Sequence, residues 1–384
     1  MNIALVILRV DPARGGAERY TVDLAKALVG RGVGVTLLAR EARGLPEGLT
    51  AVEMRGKPAG RVGRYRGFLS ALEDHLRTAK YDLVHAMLPV RRCDLYHPHA
   101  GIAAEAIRSG HLKHIHPLRQ KLAQAANRIN LKRRAFVRTE RRLLGSDHPP
   151  MVLCLSDYVK GEVRRHYQLP ERNLVRLFNA VDLRRFDPIL VADQRQPIRR
   201  RWGVKEDQVV LLMMAQDFAR KGLRQAIEAL ARLKDGRLAL VVAGKGKIEK
   251  YQSLAAALGV VDRVHFAGRT DDPAAFYAGA DAFVLPTRHD PCSLVVLEAL
   301  AMGLPVISTK FNGACEIMED GRHGFVLDDP ADIDALATAM GQLLEVRLRQ
   351  SMAEACLELR PALSQDHHVE QMMMIYERIV ATRK

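Results

Sequence analysis

DPCSLVVLEALAMGLP, residues 290–305, is the stretch on which the reading of the fold turns. Asp290 opens a loop, Cys292 and Ser293 make a short polar corner, and an apolar helix follows with one acid, Glu298, inside it. Gly303 and Pro305 are the stop signals of a helix that hands over to a strand, VIST. With the helix starting near Ser293, Glu298 lies about 7.5 Å along the axis at about 1.5 Å per residue. Asp290 stays ahead of the first turn. Between the two acids the helix start offers free N–H groups and the positive end of its dipole, a site for an anion and above all a phosphate. A nucleotide sugar fits this order, with sugar hydroxyls on the front acid, diphosphate on the helix end and ribose hydroxyls on the rear acid. A glutamate flanked by Leu294, Val295, Val296, Leu297, Ala299 and Leu300 is partly buried and needs a partner. An isolated pair of acids at this spacing is otherwise a loop acid and an exposed helix position.

Working outward, strands and helices alternate on both sides of this element. NIALVIL (2–8), VTLLA (35–39), 51–54, 83–86, MVLCLS (151–156) and LVRLF (174–178) read as strands of a first half. VVLLMMA (209–215), LALVVAG (238–244), VHFAG (264–268), AFVLP (282–286), VIST (306–309) and GFVL (324–327) read as strands of a second. The alternation predicts an α/β protein of two doubly wound, Rossmann-like domains facing each other across a cleft. The polar, basic stretch 184–202, with Pro188 and Pro197, marks the junction. The expected division is residues 1–185, residues 186–364, and a final helix over 365–384 that packs back on the N-terminal domain. Gly15 and Gly16, at the first strand-to-helix turn, allow a phosphate or sugar close to the backbone, although a tight turn alone would also explain them.

Composition narrows the function. A length of 384 residues favours two domains, and a hydrophobic content of 48% is enough for two cores. No apolar run approaches the roughly 18 residues of a membrane span. The N-terminus reads as a buried strand rather than a signal peptide. The five cysteines are scattered, without metal-ligand spacing, which fits reduced thiols in a cytoplasm. The net charge is +15, and residues 119–142 hold nine Lys or Arg against one acid, Glu140. Such a segment suits an anionic membrane surface or a phosphorylated acceptor, or is simply a solvated helix face. Its one aromatic, Phe136, offers no stacking platform, so nucleic acid is not the expected partner.

These pieces, in this order, resemble the retaining glycosyltransferases of the GT-B fold, family 4, whose signature is E-x7-E. GGAER resembles the N-terminal glycine loop, and NAVDLRRF resembles N-G-V-D-x-x-x-F. RKG, VVAGKG, VHFAGR, the 290–305 block and AMGLPVIST…GACEIMEDGRHGFVL follow in family order. QDFARKGLRQAIEAL looks most like the lipopolysaccharide-core glucosyltransferase branch. The resemblance implies transfer of a sugar from a nucleotide sugar, as a rule a UDP-sugar, to an acceptor hydroxyl with retained configuration. No cofactor or metal is implied; Lys and Arg take up the charge of the departing diphosphate.

Carried over by residue, Asp290, His99 and Lys221 are the catalytic candidates. Gly15, Gly16, Arg220, Lys221, Arg269, Asp290, Cys292, Ser293, Leu294, Val295 and Glu298 are the donor-binding candidates. In this resemblance Glu298 is the ribose acid, and Asp290 stands where the family has Glu. Lys221 is the diphosphate lysine, Arg269 lies beside the nucleobase, and Leu294 and Val295 offer backbone N–H groups. His97 is the rival to His99 for the histidine near the donor sugar. Gln216 replaces a family Arg, with Arg220 as the residue to compensate, and Ser293 replaces a family Gly. The expected partners are a nucleotide-sugar donor, a glycolipid or saccharide acceptor and an anionic membrane surface touched by 119–142. The expected location is cytoplasmic, at the inner face of the membrane. The departures at Gln216, Asp290 and Ser293 keep a catalytically silent nucleotide-sugar-binding protein as the alternative, beside a transferase for a soluble acceptor.

Overall fold

The computed structural model describes residues 1–12, 15–56, 60–109 and 130–382. They form two units, one of Met1–Asn179 with Asp366–Lys384 and one of Ala180–Gln365. The chain leaves the first unit at Asn179, ahead of the expected boundary at 185. The reason is local pairing: the N–H of Val181 donates to the Leu363 carbonyl at 2.8 Å, and Val181 bridges to Ser364. The loop NAVDLRRF is therefore held by the second unit from its third residue onward.

The first unit is built on a seven-stranded sheet of order β3-β2-β1-β4-β5-β6-β7. Its strands are β1 (Asn2–Val10), β2 (Gly34–Ala42), β3 (Thr50–Glu53), β4 (Leu83–Ala86), β5 (Leu95–Tyr96), β6 (Met151–Cys154) and β7 (Leu174–Arg176). All neighbours are parallel. Ile3, Ala4, Leu5 and Val6 are fully buried, as a central strand covered on both faces requires. The two-residue β5 was not legible beforehand, because it lies inside CDLYHPHAG, which reads as loop. Helix Gly16–Val29 follows β1 and turns Leu24, Ala25 and Leu28 onto the sheet. Helix Asp157–His166 starts at Ser156, whose hydroxyl accepts from the Val159 N–H at 3.2 Å.

The last helix, Gln365–Ala381, belongs to this unit and is tied by side chains. Tyr20 and His368 share a hydrogen bond of 2.8 Å, as do His85 and Tyr376. Arg31 adds surface ion pairs to Asp366 and Glu370; at such exposure they are worth under about 1 kcal/mol. Helix Leu131–Leu144 carries the described part of the basic segment; residues 119–129 lie outside the described residues. Lys132, Arg134, Arg138, Arg141 and Arg142 are exposed on it, while Val137, Glu140, Leu143 and Leu144 are buried.

The second unit has a six-stranded parallel sheet of order β10-β9-β8-β11-β12-β13. These are β8 (Val209–Met214), β9 (Leu238–Ala243), β10 (Val264–Gly268), β11 (Ala282–Val284), β12 (Val306–Thr309) and β13 (Gly324–Leu327). Every residue of β9 is buried. Relabelled from its first strand, this is the 3-2-1-4-5-6 order of dinucleotide-binding sheets, in which the order reverses between β8 and β11. A ligand site is expected beyond the carboxyl ends of those two strands. Among the described residues no helix is long and apolar enough to cross a membrane.

Candidate active site

The reversal point of the second unit is where the sequence candidates converge. Gln216, Arg220 and Lys221 follow β8; Arg288 and Asp290 follow β11. Lys221 Nζ donates to Asp290 Oδ2, and both residues are buried. Two glycines permit the approach of these loops. Gly222, at φ +84, leaves no room for a side chain, since a Cβ would lie 2.3 Å from the Pro286 carbonyl oxygen. Gly244, at φ +140, closes on Ala215 in the same way at the end of β9. The loop after β11 is pinned from β12: Ser308 Oγ donates to the Leu285 carbonyl at 2.7 Å and Thr309 Oγ1 to that of Thr287 at 2.6 Å. Asp290 itself donates its N–H to the Phe311 carbonyl at 2.8 Å and accepts from the Gly313 N–H at 3.0 Å.

Charge is concentrated here at a cost in solvation. Burial drives the Lys221 ammonium well below the ordinary lysine range, and the Arg220 guanidinium pushes the same way. The Asp217 carboxylate pushes the other way. Arg220 is spoken for: its Nη1 donates to the His289 carbonyl at 2.7 Å and its Nε faces Asp217 at 3.7 Å. The guanidinium thus also braces the loop that carries Asp290, beside Gln216 and Lys221.

Helix Leu294–Ala301 begins directly after Asp290–Ser293. Ser293 does not cap it through its own hydroxyl. Asn312 does the work from β12's far end, its Oδ1 accepting from the Ser293 N–H and the Ala314 N–H, each at 3.2 Å. Asn312 is 1% exposed, and its amide nitrogen donates to Ser308 Oγ at 3.1 Å. The helix start is therefore fixed by a neighbouring strand while Leu294 and Val295 remain partly exposed. Cys292 and Ser293 are buried in the corner beneath them. Glu298 is partly buried and has the partner its surroundings demanded: Tyr277 donates its hydroxyl to Glu298 Oε2 at 2.8 Å. Burial and the Glu298 charge push the Tyr277 phenol well up, so it stays a donor. Arg269, after β10, projects an exposed side chain paired with Asp271 at 3.1 Å.

In the first unit, Gly15 precedes its helix in extended backbone, φ −175, which any residue adopts. A side chain there would meet only the mobile tip of Glu18 at 3.1 Å. Gly16 opens the helix; residues 13 and 14 lie outside the described residues. HPH is not a surface loop. His97 is fully buried, its Nδ1 3.3 Å from His85 Nε2. His99 keeps some exposure, its ring lies 4.7 Å from that of Tyr20, and Asn179 bonds to it. Nε2 of His99 is enclosed without a hydrogen-bond partner. Burial lowers His99 to about 4, His85 to about 3, and His97 well below the ordinary value. These rings are neutral at neutral pH, so His99 offers an uncharged acceptor or donor at Nε2, not a cation.

Sequence reading missed Tyr277 and Asn312. The signals were present: an apolar helix with an internal glutamate needed a donor, and an Asn-Gly pair after β12 announced a turn residue with a capping side chain.

Comparison with known proteins agrees with this fold. Family models match over most of the chain: Glycosyltransferase Family 4 over residues 14–185 and Glycosyl transferases group 1 over residues 194–358. The chain belongs to family 4 of the GT-B glycosyltransferases. Among its relatives, the lipopolysaccharide glucosyltransferase WaaG of Escherichia coli K12 is 26% identical, over 96% of this chain and 94% of that protein. The lipopolysaccharide core biosynthesis glycosyltransferase LpsE of Rhizobium meliloti is 28% identical, over 88% and 89%. The crystal structure of WaaG superposes with a TM-score of 0.82 at 24% identity, covering 97% of this chain and 99% of that one. The Anabaena protein HepE, solved with UDP-glucose, gives 0.72 at 17% identity, covering 98% and 100%. At these identities the two structures speak for the fold alone.

Proposed function

We propose that this glycosyltransferase takes its sugar from a UDP-sugar and moves it, with retained configuration, to a saccharide acceptor of a lipopolysaccharide-type glycolipid. The observation that carries the donor reading is the Lys221–Asp290 pair across the β8/β11 reversal, set in front of the helix start at Leu294. In this reading the diphosphate sits on the N–H groups of Leu294 and Val295 and draws Lys221 away from Asp290. The released Asp290 carboxylate then accepts hydroxyls of the donor sugar, and Glu298, oriented by Tyr277, accepts the ribose hydroxyls. Lys221 gains a second anion as the leaving phosphate develops charge, which is stabilisation specific to the transition state. In the first unit, the enclosed Nε2 of His99 is the ring atom left to meet a polar group of a substrate. The account calls on no metal. Support for the acceptor class comes from the two lipopolysaccharide-associated relatives, and retention from the family resemblance.

The exposed cations of helix Leu131–Leu144 suit contact with an anionic membrane face, which would place the enzyme at the cytoplasmic surface where such glycolipids are assembled. Incubation of the protein with UDP-glucose and a truncated lipopolysaccharide, followed by NMR of the product, tests the reading. A new α-linked sugar is the expected result. A β-linked product removes retention, and tight UDP binding without turnover of any UDP-sugar favours the silent binding protein. Salt-sensitive cosedimentation with anionic vesicles tests the membrane contact separately.

A further inference from the structure

The basic segment 119–142 holds one acid, Glu140, and the structure turns it inward. Glu140 lies on helix Leu131–Leu144 among the buried Val137, Leu143 and Leu144, and it is itself fully buried. Four donors converge on its carboxylate. Tyr96 donates its hydroxyl to Oε1 at 2.6 Å, and the Ala103 N–H donates to the same oxygen at 2.9 Å. The Ala104 N–H donates to Oε2 at 3.1 Å, and the Tyr167 hydroxyl to Oε2 at 2.7 Å. Burial and the Glu140 charge push both phenols up, so they stay donors. A buried carboxylate is costly to desolvate, and well-packed apolar side chains would join these elements as well or better. What the carboxylate adds is direction, because bonds to an anionic acceptor are strong and aligned.

The donors are not scattered. Tyr96 ends β5 and Ala103 opens helix Ala103–Ser109, so three of the four bonds come from the two ends of one loop, residues 97–102. Inside the loop the chain turns tightly. The His99 N–H donates to the His97 carbonyl and the Gly101 N–H to the Pro98 carbonyl, each at 2.7 Å, with Gly101 at φ +85. His99 stands in the middle of this loop, its ring beside Tyr20 and bonded to Asn179, with Nε2 enclosed and unpartnered. A six-residue loop clasped at both ends by one group has little freedom left.

We propose that Glu140 is a positioning residue, clasping residues 97–102 at both ends and thereby setting the direction of His99. This rests on the reading above in which His99 Nε2 meets a polar group of a substrate. It also joins the helix that exposes Lys132, Arg134 and Arg138, through one inward side chain, to the loop that carries that histidine.

The test is a double-mutant cycle on sugar transfer from UDP-glucose to truncated lipopolysaccharide, read in single turnovers. It compares wild-type protein, Glu140→Gln, His99→Ala and the double variant. Glu140→Gln keeps the shape and replaces one acceptor oxygen by a donor. It should slow transfer about tenfold or more, the scale of a misplaced group at a reacting centre. His99→Ala should slow it at least as much. Glu140→Gln added to His99→Ala should cost less than about twofold, since the residue through which it acts is gone. UDP affinity, measured by calorimetry, should change less than about twofold throughout, because the proposed diphosphate and ribose groups belong to the second unit. Equal losses from Glu140→Gln with and without His99 overturn the inference and leave Glu140 a structural acid. So does a loss of transfer that UDP affinity matches, which would mark a general loosening. If Glu140→Gln does not fold, Tyr96→Phe takes its place in the cycle; it frees only the first end of the loop, and the expected loss is about fivefold. His99→Ala as fast as the wild type overturns the reading of His99, and wild-type protein without transfer overturns the proposed function; either takes this inference with it.

Discussion

The two units share a parallel-sheet architecture and place polar side chains at the carboxyl ends of their strands, but by opposite electrostatic means. The second unit buries charge. Lys221, Asp290 and Arg220 meet at the β8/β11 reversal, and the acid Glu298 stands a turn and more behind the helix start. Where its last helix meets its sheet, the first unit buries neutral rings. His85, His97, His99 and His368 lie among Tyr20 and Tyr376, linked by hydrogen bonds and edge-to-face contacts. The difference teaches a division of labour. A phosphate needs formal countercharge and free N–H groups, so on the proposed reading a donor site in the second unit would tolerate the solvation cost of ions. The imidazole network closes the join between the last helix and the first sheet without any charge to solvate, and leaves one ring nitrogen of His99 unused.

Four perturbations break or sharpen this contrast, the largest first. Lys221→Ala strands the Asp290 carboxylate and removes the cation facing the leaving group. Turnover should fall about 10²- to 10³-fold, the scale of losing one transition-state charge partner, as read by single-turnover transfer. A loss under tenfold would mean that another cation does the work.

Acid should attack the first unit. The folded values of about 3 for His85 and about 4 for His99 and His368 lie below the ordinary histidine value of 6.5. Between 6.5 and those values the unfolded chain binds more protons than the folded one, so stability is full above 6.5 and is lost as pH falls toward 4 and then 3. Each lowered unit corresponds to about 1.4 kcal/mol at most, and interacting rings share rather than add their contributions. Hydrogen exchange in Gln365–Ala381 should rise below pH 6, before the fluorescence of Trp202, the chain's one tryptophan and a residue of the second unit, responds. Simultaneous transitions would deny the imidazole network this role.

Gly222→Ala places a methyl group against the Pro286 carbonyl in a left-handed backbone. It should destabilise the second unit by about 1–3 kcal/mol, seen as a lower urea midpoint by Trp202 fluorescence. Tyr277→Phe removes one hydrogen bond to Glu298, worth about 1 kcal/mol. UDP affinity should drop about fivefold with little change in the urea midpoint. An unaltered affinity would mean that Glu298 does not need Tyr277 to hold its direction.

Much of this was legible in the sequence, and what was not has physical causes. Strands such as LALVVAG announced themselves because both faces of a central parallel strand are buried, so nearly every residue is apolar. The Asp290–Glu298 spacing placed one acid before the helix and one within it because helical rise is fixed. The partners of those acids were not legible. Tyr277 reaches Glu298 from another helix, Asn312 caps Ser293 from beyond the next strand, and Gly222 matters because Pro286 passes over it; all depend on tertiary approach. The burial of His97 was hidden for a similar reason: β5 is two residues long, too short for a period to show. The bracing by Arg220 was hidden as well, since its reach to the His289 carbonyl exists only once β8 and β11 are neighbours.

The most direct measurement is a calorimetric titration of UDP into the wild-type protein and Glu298→Ala under the same buffer. The account predicts saturable binding by the wild type and affinity at least tenfold weaker in the variant, because the ribose loses its acid. Equal affinity in both proteins, or no binding by the wild type at millimolar UDP, would contradict the assignment of the Asp290–Glu298 element as the donor site.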